Sequence, residues 1–263
     1  MLLNVNDEMQ LNKMIEHYGV RISDWVHEVS LKNNISLKGK KILEIGPGGL
    51  LFQGLIFQAM GAEYTAIDAF QGNCLSEKAR DLYARFLSDT SSFSFSYDLE
   101  WKDVEQSNLN YIPNMPLEKM SESLKGKKFD IIFSYGVLEH LYDIDSGFVT
   151  MENLLSDQGL AIHNIDYQPH DFWRDYENPL THLCVPNFLY KMAYPKFRGY
   201  TNRLRHSDFM KSIKSASLKV ISVQESEFYP KEVLEIRNSN GSILEKYSDE
   251  DLLMQRSTYI LSR

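Results

Sequence analysis

An apolar run, Lys41-Ile-Leu-Glu-Ile45, leads straight into Gly46-Pro-Gly-Gly49, and the next apolar run ends in Asp68. That order reads as a buried strand, a glycine turn, a helix N-terminus and a second strand tipped by a carboxylate. An α/β fold holds an adenosine cofactor in this way. Glycines let the backbone approach a ligand that any Cβ would hold off, and the strand-end acid accepts hydrogen bonds from ribose hydroxyls. A dinucleotide site asks for Gly-x-Gly-x-x-Gly, whose third glycine allows close helix–strand packing. Gly46 and Gly48 comply, but the third position is Leu51. Glu44 also places a carboxylate just before the glycines, which suits a cationic ligand better than a pyrophosphate.

The pattern Glu44-x-Gly46-x-Gly48 resembles motif I of the class I S-adenosylmethionine (SAM) methyltransferases, although Leu50 stands where many members have a third glycine. The resemblance continues in the family's order. Strand two is expected at Tyr64–Asp68 and strand three at Phe93–Tyr97, with Asp98 or the nearby Asp103 as its terminal acid. Strand four is expected at Phe129–Ser134, followed by Tyr135-Gly-Val-Leu-Glu-His-Leu141, similar to the family's Val-Leu-Glu-His. A helix at Phe148–Leu155, a turn at Ser156–Gly159, and strands at Gly159–His163, Leu218–Val223 and Thr258–Ser262 complete the set. The resemblance implies a Rossmann-like α/β fold, with a seven-stranded, mostly parallel sheet and helices on both faces. It implies SAM as cofactor and S-adenosylhomocysteine (AdoHcy) as product. Glu44, Gly46, Pro47, Gly48, Asp68, Ala69, Asp98 and Ser134 would contact it. An N-terminal helical cap is expected over residues 1–38 and the methyltransferase domain over 39–263.

Composition limits the partners. The 263 residues are 43% apolar, enough for one α/β domain with additions. A net charge of −8 opposes a nucleic-acid substrate, which calls for a basic face. The sequence has no apolar run of about 18 residues and no signal-peptide pattern, so no membrane span and a cytoplasmic location are expected. Cys74 and Cys184 are too few for a disulfide framework and lack metal-site spacing. The oligomeric state stays open.

Three stretches outside this core could build an acceptor site: the N-terminal helices, residues 99–128 with a helical pattern from Leu117 to Leu124, and a long lid insertion at about 164–205. The third is the richest. It carries Asp166, Tyr167, His170, Trp173 and His182, then the aromatic run Phe188–Tyr194. So long a loop is functional or disordered as a rule, and aromatic content argues against disorder. Asn202-Arg-Leu-Arg205, before a helix at Ser207–Lys214 with Ser207 as its N-cap, resembles a segment of SAM methyltransferases that modify sugars and related glycan or natural-product intermediates. Arg203 and Arg205 would then face an anionic group of the acceptor, or else pair with acids of this acidic chain. Tyr167, Trp173, His182, Arg203 and Arg205 form the expected acceptor-binding set.

Attack by a hydroxyl gains from a base, and histidine titrates nearest neutrality. His163 is the first candidate, at the end of strand five, followed by His140, Asp166 and His170. Some quinone-pathway relatives hold a divalent metal with an acid–histidine pair after strand four. Glu139-His140 is similar, but Leu138 replaces their preceding acid, so no metal is expected. The reading is a SAM-dependent O-methyltransferase of a small acceptor, with N- or C-methylation, or a silent SAM-binding subunit, as alternatives.

Overall fold

Four of the five residues of β1 (Lys41–Ile45) are buried, as a strand covered on both faces requires. In the computed structural model, which describes residues 8–95, 97–119, 124–193, 200–238 and 244–263, β1 pairs in parallel with β2 (Glu63–Ile67) and β4 (Phe129–Tyr135). β2 pairs in parallel with β3 (Asn110–Ile112). With β5 (Leu155–Asp166), β6 (Lys219–Phe228) and β7 (Met254–Ser262) the strand order is β3-β2-β1-β4-β5-β7-β6. β6 and β7 run antiparallel. This is the expected Rossmann-like, mostly parallel seven-stranded sheet. Among the described residues no helix is long and apolar enough to cross a membrane.

The chain divides into two units, residues 1–133 with 154–162, and 134–153 with 163–263. In the first, a helical run comprises α1 (Glu8–Met14), a π-turn (Ile15–Val20) and α2 (Arg21–Lys32). It approaches α3 (Phe52–Ala59) so closely at Gly19 that a Cβ there would lie 3.0 Å from Phe52 Cβ. α3 itself is buried almost all round, the mark of a core helix. α4 (Glu77–Ser88) is capped by Ser76, whose hydroxyl accepts from Ala79 N. It buries Ala79, Leu82, Tyr83 and Phe86, one face at helical spacing.

Strand three is the main correction. The alternation of Phe93, Phe95 and Tyr97 imitates a strand face, but these rings build an aromatic cluster instead. Phe93 packs on Phe86 at 5.4 Å, Phe95 on Trp101 at 5.6 Å, and Tyr97 on His27 at 4.3 Å between centroids. The edge strand is Asn110–Ile112, in register with Thr65–Ile67. Asp98 therefore ends no strand and lies exposed in a loop.

The second unit contains α5 (Ile144–Leu154), α6 (Thr181–Cys184), α7 (Asn187–Ala193), α8 (His206–Ser215) and α9 (Asp249–Leu253). Phe148, Phe209, Tyr167 and Tyr259 pack together. Leu180, Leu183, Leu244, Tyr247 and Leu252 form a separate cluster. The N-cap of α8 is Arg205 rather than Ser207, the helix starting at His206 with Asp208 Oδ2 accepting from Arg205 N at 3.1 Å, while the Ser207 hydroxyl donates to Asp251 at 2.5 Å. The turn expected at Ser156–Gly159 lies within β5. Parts of four expectations lie outside the described residues: 1–7 of the cap, Ser96 of the supposed strand three, 120–123 of the helical pattern, and 194–199 of the lid, including Tyr194.

Candidate active site

In the first unit the turn after β1 has the backbone that its sequence demands. Gly46 and Gly48 adopt φ of 68° and 77°, a region other residues enter only with strain. Gly48 and Gly49 are exposed, and a Cβ on either would meet nothing within 4 Å. Space is therefore open beside the turn, while Pro47 is buried. Gly46 N donates to Ile67 O at 2.8 Å, joining the turn to the end of β2. Asp68 follows at once, half-buried, with Oδ1 accepting from Phe70 N at 2.9 Å. Ala69 beside it is exposed.

The sequence gives no signal for the residues that hold this turn. Cys74 Sγ donates to Gly48 O at 3.2 Å. Tyr83 OH accepts from Leu51 N and donates to Cys74 O, both at 2.8 Å. Tyr111 of β3 accepts from Gly72 N at 2.9 Å. Burial pushes the Cys74 thiol up to about 11, so it serves as a weak donor and not as a nucleophile.

Glu44 differs from expectation. It is 3% exposed, Oε1 accepts from Gln53 Nε2 at 2.8 Å, and Oε2 accepts from Tyr64 OH. Burial raises its pKa to about 7 against the pull of these two donors. Its carboxylate ties β1 to β2 and α3 and offers no free oxygen to a ligand.

In the second unit the end of β4 faces inward. Ser134 Oγ and His163 Nδ1 hydrogen-bond at 2.8 Å, and both residues are 0% exposed. Burial lowers His163 to about 3, so it is neutral at any physiological pH and closed to solvent. His182 is similar, 2% exposed, with Nδ1 donating to Pro179 O at 2.8 Å and burial lowering it to about 3.

The turn Leu138–His140 that follows β4 is held by Asn202. Its Nδ2 donates to Leu138 O at 2.9 Å, and its backbone N donates to Glu139 O at 2.7 Å. His140 Nδ1 donates to Tyr200 O at 2.6 Å. A carbonyl can only accept, so Nδ1 carries the proton and Nε2 keeps its lone pair. His170, the extended residue just before the 3₁₀ turn Asp171–Asp175 that follows β5, stands with its ring 5.0 Å from that of His140 and its Nε2 4.0 Å from Asp166 Oδ2. Burial lowers both imidazoles, and for His170 the His140 ring adds to the effect. Glu139 is 3% exposed and burial raises it to about 8. One donor atom each from Glu139, His140 and His170 lies within 4.8 Å of the others. Asp166 also accepts from Gln168 N at 2.9 Å and faces Arg256 at 3.6 Å.

The structure gives the expected acceptor-binding set other work. Arg205 is 1% exposed, and its guanidinium donates to the carbonyls of Tyr167, Asp251, Leu252 and Met254. Arg203 donates to His182 O and Val185 O at 3.0 and 2.6 Å and lies 4.1 Å over the Tyr190 ring. Neither alternative foreseen for these arginines, an acceptor anion or an acidic side chain, describes those contacts. Tyr167 OH bonds Ser257 Oγ at 2.6 Å and Tyr259 OH at 2.8 Å inside the core. Trp173 is 7% exposed and stacks on Tyr190.

A sequence profile of the methyltransferase domain matches residues 14–215 of the chain. A search of curated proteins by sequence finds no match. Among solved structures, a candidate sarcosine dimethylglycine methyltransferase from Galdieria sulphuraria superimposes with a TM-score of 0.52 at 9% identity, over 92% of this chain and 84% of that one. PKMT2 from Rickettsia typhi, in complex with AdoHcy, gives 0.51 at 14% identity over 92% and 53%. Magnesium protoporphyrin IX methyltransferase from Synechocystis, with bound SAH, gives 0.50 at 13% over 98% and 88%. At these identities the likeness is one of fold.

Proposed function

Because the chain belongs to the methyltransferase domain family, we propose that this SAM-dependent methyltransferase methylates an oxygen of a small acceptor activated at the Glu139–His140–His170 cluster. One observation carries the assignment. His140 is fixed as the Nδ1–H tautomer by Tyr200 O, so its Nε2 is an available base in a half-buried setting, whereas His163 and His182 are enclosed.

SAM is the cofactor. In this reading the turn at Gly46-Pro47-Gly48 supplies close backbone approach, Asp68 accepts from the ribose hydroxyls, and Ala69 lies beside them. Glu44 acts behind this surface through its buried partners, and Ser134 is occupied by its bond to His163 within the second unit. Asp98 drops out because it ends no strand.

The sulfonium is an activated donor, so the protein's task is alignment and proton removal. An acceptor oxygen lone pair attacks the methyl carbon, the carbon–sulfur bond breaks, AdoHcy leaves, and the hydroxyl proton passes to the cluster. Burial keeps His140 and His170 neutral, the state a proton acceptor needs, and at the same time makes each a weaker base than an exposed histidine. Sugars, nucleotide-linked sugars and related glycan or secondary-metabolite intermediates are the acceptors to screen first, on the resemblance carried by Asn202–Arg205. Arg205 gives an anionic group on the acceptor no support, since its guanidinium is enclosed among backbone carbonyls, and Arg203 gives little, since its guanidinium is engaged by His182 O, Val185 O and Asn187.

Transfer from labelled SAM to such acceptors tests the reading. His140→Ala and His170→Ala are expected to lower kcat by about 10²-fold or more, with KM for SAM unchanged. Full turnover in both variants would remove the cluster from the chemistry and favour N- or C-methylation.

A further inference from the structure

We propose that Glu139, His140 and His170 bind one divalent transition-metal ion of the zinc, manganese or iron(II) class. The donors come from two separate segments, the turn after β4 and the stretch after β5, yet one ligand atom from each lies within 4.8 Å of the others. Ligands sharing an ion at about 2.0–2.2 Å stand roughly 3–4 Å apart. Side-chain rotation of about 1 Å closes the difference.

Glu139 supplies the independent observation. At 3% exposure, neither of its carboxylate oxygens has a hydrogen-bond partner of good geometry among the described residues, the backbone N–H groups of Glu139 and Asp166 being the donors nearby. A buried carboxyl group left without hydrogen bonds is costly whether or not it is ionised, and a cation between it and the two imidazoles removes the cost by taking its oxygen as a ligand. His140 is oriented as metal-bound histidines are: one ring nitrogen donates to a backbone carbonyl, at 2.6 Å to Tyr200 O, and the other presents a lone pair. Asp166, whose Oδ2 is 4.0 Å from His170 Nε2, adds a negative charge beside the site that favours a bound cation. Arg256, 3.6 Å from Asp166, is also paired with Glu227 at 3.0 Å, which tempers its repulsion of a dication.

The donor set selects the ion. Two imidazole nitrogens and one carboxylate suit zinc, manganese or iron(II), whereas magnesium and calcium prefer oxygen ligands throughout. Three protein donors leave positions for water or an acceptor oxygen. A hydroxyl coordinated there gives up its proton more readily. In that role the ion replaces the two imidazoles as the group that lowers the hydroxyl's hold on its proton, because each imidazole spends its lone pair on the metal. The role rests on the methyl-transfer reading, while the binding itself does not.

Cobalt(II) is the probe, titrated into the full chain freed of any histidine tag and followed by its visible d–d bands, with zinc as competitor. The native protein is expected to bind one cobalt that zinc displaces. His170→Ala and Glu139→Gln are expected to weaken binding by at least about 100-fold, and His17→Ala, on the exposed N-terminal helical run, to leave it unchanged. AdoHcy titration of each variant reports folding. Cobalt that binds His170→Ala as tightly as the native chain, or a native chain that retains none, overturns the metal site even when AdoHcy binds. Cobalt bound to a chain that does not bind AdoHcy supports the metal site and sinks the methyl-transfer role.

Discussion

Glu44 sits beneath the glycine turn with one oxygen on Gln53 and the other on Tyr64, fully enclosed. Its folded pKa, about 7, lies above the ordinary 4.5. A carboxyl raised in this way favours folding below its unfolded pKa and loses that advantage as pH rises through 7. The shift corresponds to about 3 kcal/mol between pH 4.5 and 7. Denaturant unfolding of Glu44→Gln across that range is expected to lack this fall, so its stability gains on the native protein as pH rises. Parallel pH profiles for the two proteins would show that Glu44 is not a buried titrating group. The turn glycines Gly46 and Gly48 and the strand-end Asp68 were legible as structure because a backbone angle or a strand end demands a residue type at a fixed place. Arg205 was not. Its carbonyl partners in α9 and β7 lie 46 to 49 positions away, and nothing local distinguishes an arginine clamping backbone from one awaiting an anion.

At the scale of elements, α3 and β2 are fitted at Gly54. A Cβ there would fall 2.6 Å from the Tyr64 ring and 2.7 Å from Leu109. Tyr64 cannot swing clear without giving up Glu44. Helix propensity alone would make Gly54→Ala stabilising by about 1 kcal/mol. Overpacking costs about 1–3 kcal/mol and is expected to prevail, lowering the urea midpoint. A midpoint at or above the native value would mean that the α3–β2 contact is looser than drawn. β1, β2 and β4 could be read from sequence because strands covered on both faces are nearly continuous apolar runs. β3 could not, since one exposed and two half-buried residues next to Pro113 and Asn114 carry the composition of a turn. The aromatic alternation at 93–97 was a false strand because a ring cluster and a strand face share a period of two. The histidine cluster was half legible: His140 and His170 were candidates singly, but their meeting with Glu139 depends on how the two turns are folded.

For the whole molecule, a match over residues 14–215 and a seven-stranded sheet of order β3-β2-β1-β4-β5-β7-β6 identify a SAM-dependent methyltransferase. The acceptor is a property of side-chain surfaces that this fold varies freely. What the account needs most is that the turn at Gly46–Gly48 and Asp68 hold the cofactor. Calorimetric titration of the full chain with AdoHcy, beside Asp68→Ala, measures this directly. Two hydrogen bonds to a charged acceptor correspond to about 1.5–3 kcal/mol each, so the variant is expected to bind at least about 100-fold more weakly while unfolding at the same denaturant concentration. AdoHcy bound equally by both proteins would contradict the assigned site, and no binding to the folded native chain would contradict the cofactor itself.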